Sequence, residues 1–428
     1  EFLERRYNPQ SRTILSVISL VSYVLTKVAV TVYAGGLVFQ QVFGIKELWG
    51  IDFFWIAAIG LVVLTALYTI FGGMKSVLYT SVLQTPILLL GSLIILVLGF
   101  KELGGWDEMM RVCGAVTVND YGDTMTNLIR SNDDANFPWL GALIGSAIIG
   151  FWYWCTDQFI VQRVLSGKNE MEARRGTIFG AYLNLLPVFL FLIPGMIAFA
   201  LHQKYIGAGG EGFLPMLANG TANADAAFPT LVAKLLPAGV KGLVVCGILA
   251  ALMSSLASLF NSSAMLFTID FYKRFRPETP EKKLVGIGQV ATVVIVILGI
   301  LWIPIMRSVG DVLYTYLQDV QSVLAPGIAA AFLLGICWKR TSAQGGMWGL
   351  IAGMVIGLTR LGAKVYYSNA GEVADSTFKY LFYDMNWLFF CGWMFLFCII
   401  VVIVVSLATK APTAEKIQGL VFGTATKE

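Results

Sequence analysis

Ten apolar runs, each long enough to cross a hydrocarbon layer of about 30 Å as a helix of roughly 20 residues, dominate this chain. They fall at 13–41, 52–72, 77–100, 138–164, 176–203, 240–272, 284–306, 310–337, 344–363 and 385–408. Lipid offers no water to the main-chain N–H and C=O groups, so only helices or a closed barrel can span it. The apolar-out, polar-in alternation of barrel strands is absent, and continuous apolar runs require helices. Of the 428 residues, 57% are hydrophobic and 13% charged, against about 25% charged in a soluble domain. One soluble core cannot hide that much apolar surface. The reading is an all-α, multi-pass plasma-membrane protein whose solvent is partly the bilayer. It forms one transmembrane domain over 1–428 with about ten transmembrane helices.

Basic residues set the orientation. With the first segment cytoplasmic, the inside loops hold 18 of the 30 Lys and Arg residues, including Arg163, Lys168, Arg174, Arg175, Lys273, Arg274, Arg276, Lys282 and Lys283. The longer outside loops hold 11, and Lys27 lies within a span. This alternation follows the positive-inside rule and puts both chain ends in the cytoplasm. A net charge of +4 spread over short clusters argues against nucleic-acid binding. Six scattered cysteines form neither a metal spacing nor a disulfide framework. No nucleophile–base constellation or metal cluster is visible, so an enzyme is not expected. The chain opens at Glu1-Phe2-Leu3 without Met or a leading hydrophobic segment, and residue 1 reads as the middle of a longer protein. Asn219-Gly220-Thr221 matches a glycosylation sequon, a triplet common by chance.

Polar residues inside spans carry the functional information, because leaving them unpaired in lipid is costly. In Ala250-Ala251-Leu252-Met253-Ser254-Ser255 two readings stand. Small residues allow helices close approach, with each Ser bonded back to a carbonyl one turn earlier. Alternatively, the Ala251 carbonyl and the Ser254 and Ser255 hydroxyls, at i, i+3 and i+4 on one helix face, form half a shell for Na⁺, a hard cation that prefers oxygen. The run Gly150-Phe151-Trp152-Tyr153-Trp154-Cys155-Thr156-Asp157-Gln158 is either an interfacial belt or, since Trp152–Trp154 lie about fifteen residues into the span, an aromatic lining. Aromatic faces suit the C–H faces of a sugar, and the amides of Gln318 and Asn184 could bond its hydroxyls. Each amide could equally be a helix-packing hydrogen bond. Lys27 either snorkels or pairs with a helix end. His202, the single histidine, is expected at an outer interface rather than in a proton relay.

Several segments are distinctive when taken together. They include Glu1-Phe2-Leu3-Glu4-Arg5-Arg6-Tyr7, Ala66-Leu67-Tyr68-Thr69-Ile70-Phe71-Gly72-Gly73 and Trp152-Tyr153-Trp154-Cys155-Thr156-Asp157-Gln158. With Met253-Ser254-Ser255-Leu256-Ala257-Ser258, Asn261-Ser262 and Gly335-Ile336-Cys337-Trp338-Lys339-Arg340, they make nearly the whole chain similar to the sodium/solute symporter family, and within it to the sodium/glucose (sugar) cotransporters. The resemblance implies a LeuT-like fold of two inverted five-helix repeats and alternating access around a mid-membrane site. It also implies that the leading extra helix, the first two core helices and a last C-terminal helix lie outside this sequence. The first core helix would supply the remaining sodium oxygens, so this stretch alone should bind Na⁺ poorly.

By position, the resemblance makes Ala251, Ser254 and Ser255 the retained half of the sodium site. Tyr153 and Trp154 become an aromatic inner gate beneath the sugar, Tyr314 an outer gate, and Gln318 a sugar contact. Asn184 stands where glucose transporters carry Lys, and Gly150 where they carry a polar side chain. Ser81 replaces an Asp common in the family, and Ala257 lacks the hydroxyl of members with a second sodium site. One Na⁺ per sugar is therefore expected. The expected function is sodium-coupled symport of a hexose into the cell, with sugar, Na⁺ and the bilayer as partners. The rivals are symport of an inositol, amino acid or carboxylate, and a transporter-like sugar sensor.

Overall fold

The structure is a computed structural model that describes residues 2–217, 220–309, 312–370 and 374–424. The sequon residue Asn219 lies outside the described residues. Among them, nine helices are long and apolar enough to cross a membrane. These are Pro9–Phe43, Gln84–Leu103, Trp139–Thr156, Glu170–Gly207, Ala238–Phe275, Glu281–Met306, Leu313–Cys337, Ala343–Asn369 and Trp387–Ala408, with Phe53–Leu67 a shorter apolar helix. The runs read at 52–72 and 77–100 are joined in one 51-residue helix, Phe53–Leu103. Asp52 caps its start by accepting from the Phe54 N–H, and Gly104 ends it in the left-handed conformation. Nothing at 73–76 removes a main-chain donor, because the only proline inside the helix is Pro86.

Several spans contain a wide π-helical turn: Tyr23–Val28, Trp152–Thr156, Val188–Leu192 and Leu266–Tyr272. Such turns insert a residue into the helical ladder and frequently occur at functional sites. The span read at 138–164 breaks at Asp157, whose backbone is extended (φ −76°, ψ 120°), and restarts as Gln158–Leu165. The span read at 176–203 is interrupted at Asn184-Leu185, ahead of Pro187, which has no N–H to continue the ladder.

The chain divides into two compact units. One comprises Glu1–Lys27, Ser131–Arg163 and Ser262–Glu428, and is built around helix Leu313–Cys337, which packs on Trp139–Phe151, Ala343–Asn369 and Trp387–Ala408. Glycine permits these close crossings. A Cβ at Gly353 would stand 2.7 Å from the Cα of Gly327, and one at Gly357 only 2.3 Å from the Val323 carbonyl oxygen. Buried Arg6 donates to the carbonyls of Gly335, Trp338 and Thr341 at 2.9–3.0 Å, satisfying acceptors around the end of the central helix. The other unit comprises Val28–Arg130 and Val164–Asn261. There Phe53–Leu103 packs on Ala29–Phe43, Ile193–Gly207 and Ala227–Leu235, with Ile95, Met109, Ile197, Leu201 and Leu231 in the core. His202 corrects an expectation. It is buried rather than interfacial, and its Nδ1 accepts from the Leu214 N–H at 3.0 Å, tying a loop to the helix.

Replacing Gly353 by Val should overpack the Gly327 crossing and cost about 1–3 kcal/mol. Thermal unfolding of the detergent-purified protein should show a lowered midpoint. Gly362→Ala, where an added Cβ meets nothing within 4 Å, should not lower it.

Candidate functional site

The oxygen set read as a cation site lies in the second unit. Helix Ala238–Met265 carries Ala251, Ser254 and Ser255 at one face, with Ser254 buried. The Ser254 Oγ lies 2.6 Å from the Oγ of Ser81 on helix Phe53–Leu103. Ser81 therefore adds a fourth oxygen to the three read from the sequence. In a hydroxyl pair one group donates and the other accepts, and the same oxygens are of the type that a hard cation prefers. All four groups are neutral, the chemistry of a site for a hard, weakly held cation. Ala257, two residues beyond Ser255, is fully buried and offers only a methyl group.

The aromatic set lies in the first unit. The π turn Trp152–Thr156 closes with the Asp157 N–H donating to the Trp152 carbonyl at 3.1 Å. It packs against helix Leu313–Cys337, which carries Tyr314 and Gln318. Trp152 is buried, Tyr153 half-buried and Trp154 exposed. The Tyr153 and Trp154 rings meet edge to face at 5.2 Å. These residues close the C-terminal end of Trp139–Thr156 rather than its middle. Gln318 Nε2 donates to the Tyr314 hydroxyl one turn away at 3.1 Å, and Phe137 stands 6.4 Å from the exposed Tyr314 ring. At Gly150 an added Cβ would meet nothing within 4 Å, so the position is open. Gly150, Tyr153, Trp154, Tyr314 and Gln318 thus belong to one unit, while Asn184, exposed at the end of Glu170–Leu183, belongs to the other.

Two charged clusters in the first unit were not assembled from the sequence. Asp157 is buried. Its Oδ1 accepts from the Tyr23 hydroxyl at 2.9 Å and the Phe159 N–H at 3.1 Å, and its Oδ2 from the Lys27 ammonium. Lys27 does not snorkel: it pairs with the side chain of Asp157, the residue at which the helix of Trp139–Thr156 ends. It lies over the rings of Phe159, Tyr23 and Tyr153 at 4.1, 4.9 and 5.2 Å. Asp319, beside Gln318, pairs with Lys364 and stands 3.5 Å from Arg360. Arg360 donates to the Met385 carbonyl at 2.7 Å and covers the Phe390 ring. The signal for both clusters was charge within apolar runs, and the partners lie far apart in sequence.

Asp157→Asn should leave Lys27 as a buried, uncompensated cation and destabilise the protein by about 3–5 kcal/mol. Lys27→Met combined with Asp157→Leu should recover most of that loss. A double-mutant cycle on thermal unfolding measures the coupling, and additive losses would refute it.

The model of the sodium:solute symporter family matches residues 1–353. The chain is 36% identical over 436 residues to the sodium/mannose cotransporter of Bos taurus, covering 99% of this chain and 72% of that one. It is 34% identical to sodium/myo-inositol cotransporter 2 of Homo sapiens, covering 99% of this chain and 64% of that protein. Sodium/glucose cotransporter 1 of Ovis aries is 36% identical, with 97% and 64% covered. The chain therefore spans slightly less than two thirds of the length of most of these relatives. A solved structure of a Na⁺-coupled sialic acid symporter, in a substrate-bound outward-open state, matches with a TM-score of 0.70 over 96% of this chain and 77% of that one. At 21% identity that likeness speaks to the fold alone, an all-α, inverted five-helix-repeat (LeuT-like) architecture. With a family model over most of its length and relatives above 30% identity that are transporters and not enzymes, this multi-pass membrane protein belongs to the sodium:solute symporter family.

Proposed function

We propose that the full-length protein performs sodium-coupled symport of a neutral sugar across the plasma membrane into the cell, by alternating access. The observation that carries the reading is the wholly neutral oxygen set of Ala251, Ser254, Ser255 and Ser81. Such a set replaces part of the hydration shell of a small monovalent cation while needing no counter-charge. The aromatic and amide groups of Tyr153, Trp154, Tyr314 and Gln318 suit an uncharged polyol, with Gly150 an open position in the same unit, and the amide of Asn184 is of the same neutral chemistry. Binding of Na⁺ raises sugar affinity, and by linkage sugar raises Na⁺ affinity by the same factor. Release to the cytoplasm follows movement of the Tyr153 ring. A second reading, symport of myo-inositol, is favoured by the 34% identity to sodium/myo-inositol cotransporter 2, the same range as the sugar cotransporters. Glucose, mannose and myo-inositol are all neutral polyols, and the site residues are neutral too.

In proteoliposomes, uptake of labelled hexose should follow an inward sodium gradient and stop when that gradient is collapsed. Competition among glucose, mannose and myo-inositol ranks the substrates. Ser254→Ala with Ser255→Ala should weaken Na⁺ activation at least tenfold, about 1.4 kcal/mol. Unchanged Na⁺ dependence would reduce those hydroxyls to helix-packing groups. Since the Ser81 hydroxyl is already counted in the one oxygen set and Ala257 offers only a methyl group, flux measurements should return one Na⁺ per solute, and a ratio of two would overturn that count.

A further inference from the structure

A separate feature of the first unit lies on its apolar flank. The turn-to-helix region around Leu20–Leu25, Phe267 and helix Glu281–Met306 enclose an open groove of about 770 Å³. Its walls are almost wholly hydrocarbon, contributed by residues such as Leu20, Val24, Phe267, Val290, Val294 and Leu298. One end of the groove is Lys283. The same lysine lines a second, polar cavity of about 400 Å³ with Tyr272, Arg276, Glu278 and Thr279. The two cavities therefore meet at a cation.

From this juxtaposition we infer that the protein holds a phospholipid with a net negative headgroup, one acyl chain in the groove and the phosphate between Arg276 and Lys283. Dimensions agree. Lys283 to Leu298 is fifteen residues of helix, about 22 Å, enough to run past one leaflet of a hydrocarbon core about 30 Å thick. Depth agrees as well. The basic loop containing Lys273, Arg274, Arg276, Lys282 and Lys283 faces the cytoplasm by the positive-inside rule, the leaflet that carries anionic lipid.

Charge decides the headgroup. Two other cations at this end are already engaged: Arg12 pairs with Asp270 and Glu4, and Arg274 donates to the Pro9 carbonyl at 2.8 Å and to the Thr13 hydroxyl. Among the described residues, the side chains of Arg276 and Lys283 have no ion-pair or hydrogen-bond partner. Both are exposed at the mouth of the groove, with Glu278 the one carboxylate lining the polar cavity. Two cations against one carboxylate favour a phosphate without a compensating amine over a zwitterionic headgroup. Planar, bidentate Arg276 also matches phosphate geometry.

Native mass spectrometry of the full-length detergent-purified protein tests this directly. Titration with phosphatidylglycerol and phosphatidylcholine of matched acyl chains should show at least fivefold stronger retention of the former. Arg276→Gln with Lys283→Gln should bring the two lipids to parity. Val294→Trp, which fills the groove without touching charge, should reduce retention of both. Glycerol phosphate, which lacks acyl chains, should not displace the bound lipid. Equal retention of the two lipids by the wild type would overturn the inference. So would a preference that survives the double Gln variant, or displacement by glycerol phosphate. All three side chains are at least one-third exposed or lie at the membrane surface, so thermal unfolding of the variants should match the wild type.

Discussion

A carboxylate in hydrocarbon has no water to share its charge, and Asp157 shows how completely the fold must answer that constraint. Where the helix of Trp139–Thr156 breaks, main-chain groups are released from the helical ladder. The Asp157 side chain takes the freed N–H of Phe159, and Tyr23 and Lys27, from a span more than a hundred residues earlier, occupy its remaining lone pairs. Lys27 in turn rests on three aromatic faces, one of them Tyr153. The break, the π turn and the position of Tyr153 are thus one arrangement, joined through the ion pair. A pair of this kind contributes little net stability compared with an apolar replacement. What it provides is a defined geometry for a bent backbone.

The same constraint explains which parts of the fold could be read from the chain. Continuous apolar runs such as 284–306 and 385–408 match the spans Glu281–Met306 and Trp387–Ala408 closely, because span length is set by bilayer thickness and by local composition. Breaks within spans were not read, since hydropathy averages over them. Pro187 was a visible local signal for the interruption at Asn184-Leu185. Asp157 was visible as a residue but not as a helix terminus, because its partners come from another span. Joining of the runs at 52–72 and 77–100 into Phe53–Leu103 is the opposite case, in which the gap between two apolar runs carries no missing main-chain donor and the helix runs through it.

The candidate site divides in a similar way. The common face of Ala251, Ser254 and Ser255 follows from helical periodicity alone. The 2.6 Å contact that brings Ser81 to Ser254 spans 173 residues and is a product of packing. Pairing of Gln318 with Tyr314 is local, at i and i+4, and was within reach of the same periodicity argument. His202 shows the limit of reading polarity by position. At a helix end it resembled an interfacial residue, yet the loop it holds through Leu214 buries it.

Charge and the proposed ligand chemistry fall to different side chains in this protein. Asp157 is matched by Lys27, Asp319 by Lys364 and Arg360, and Asp270 by Arg12, so the carboxylates within or flanking these spans are committed to holding helices. The groups assigned to ion and solute are hydroxyls, a carbonyl, amides and rings. That separation has a kinetic reason. A carboxylate ligand would bind a monovalent cation more tightly and would face a large desolvation cost each time the cation left. Conduction and transport both require binding strong enough to capture an ion and weak enough to release it. Neutral oxygens meet that requirement, and they leave the ion's affinity dependent on whether the remaining ligands are in place. An affinity that depends on conformation is what lets one bound species alter the binding of another.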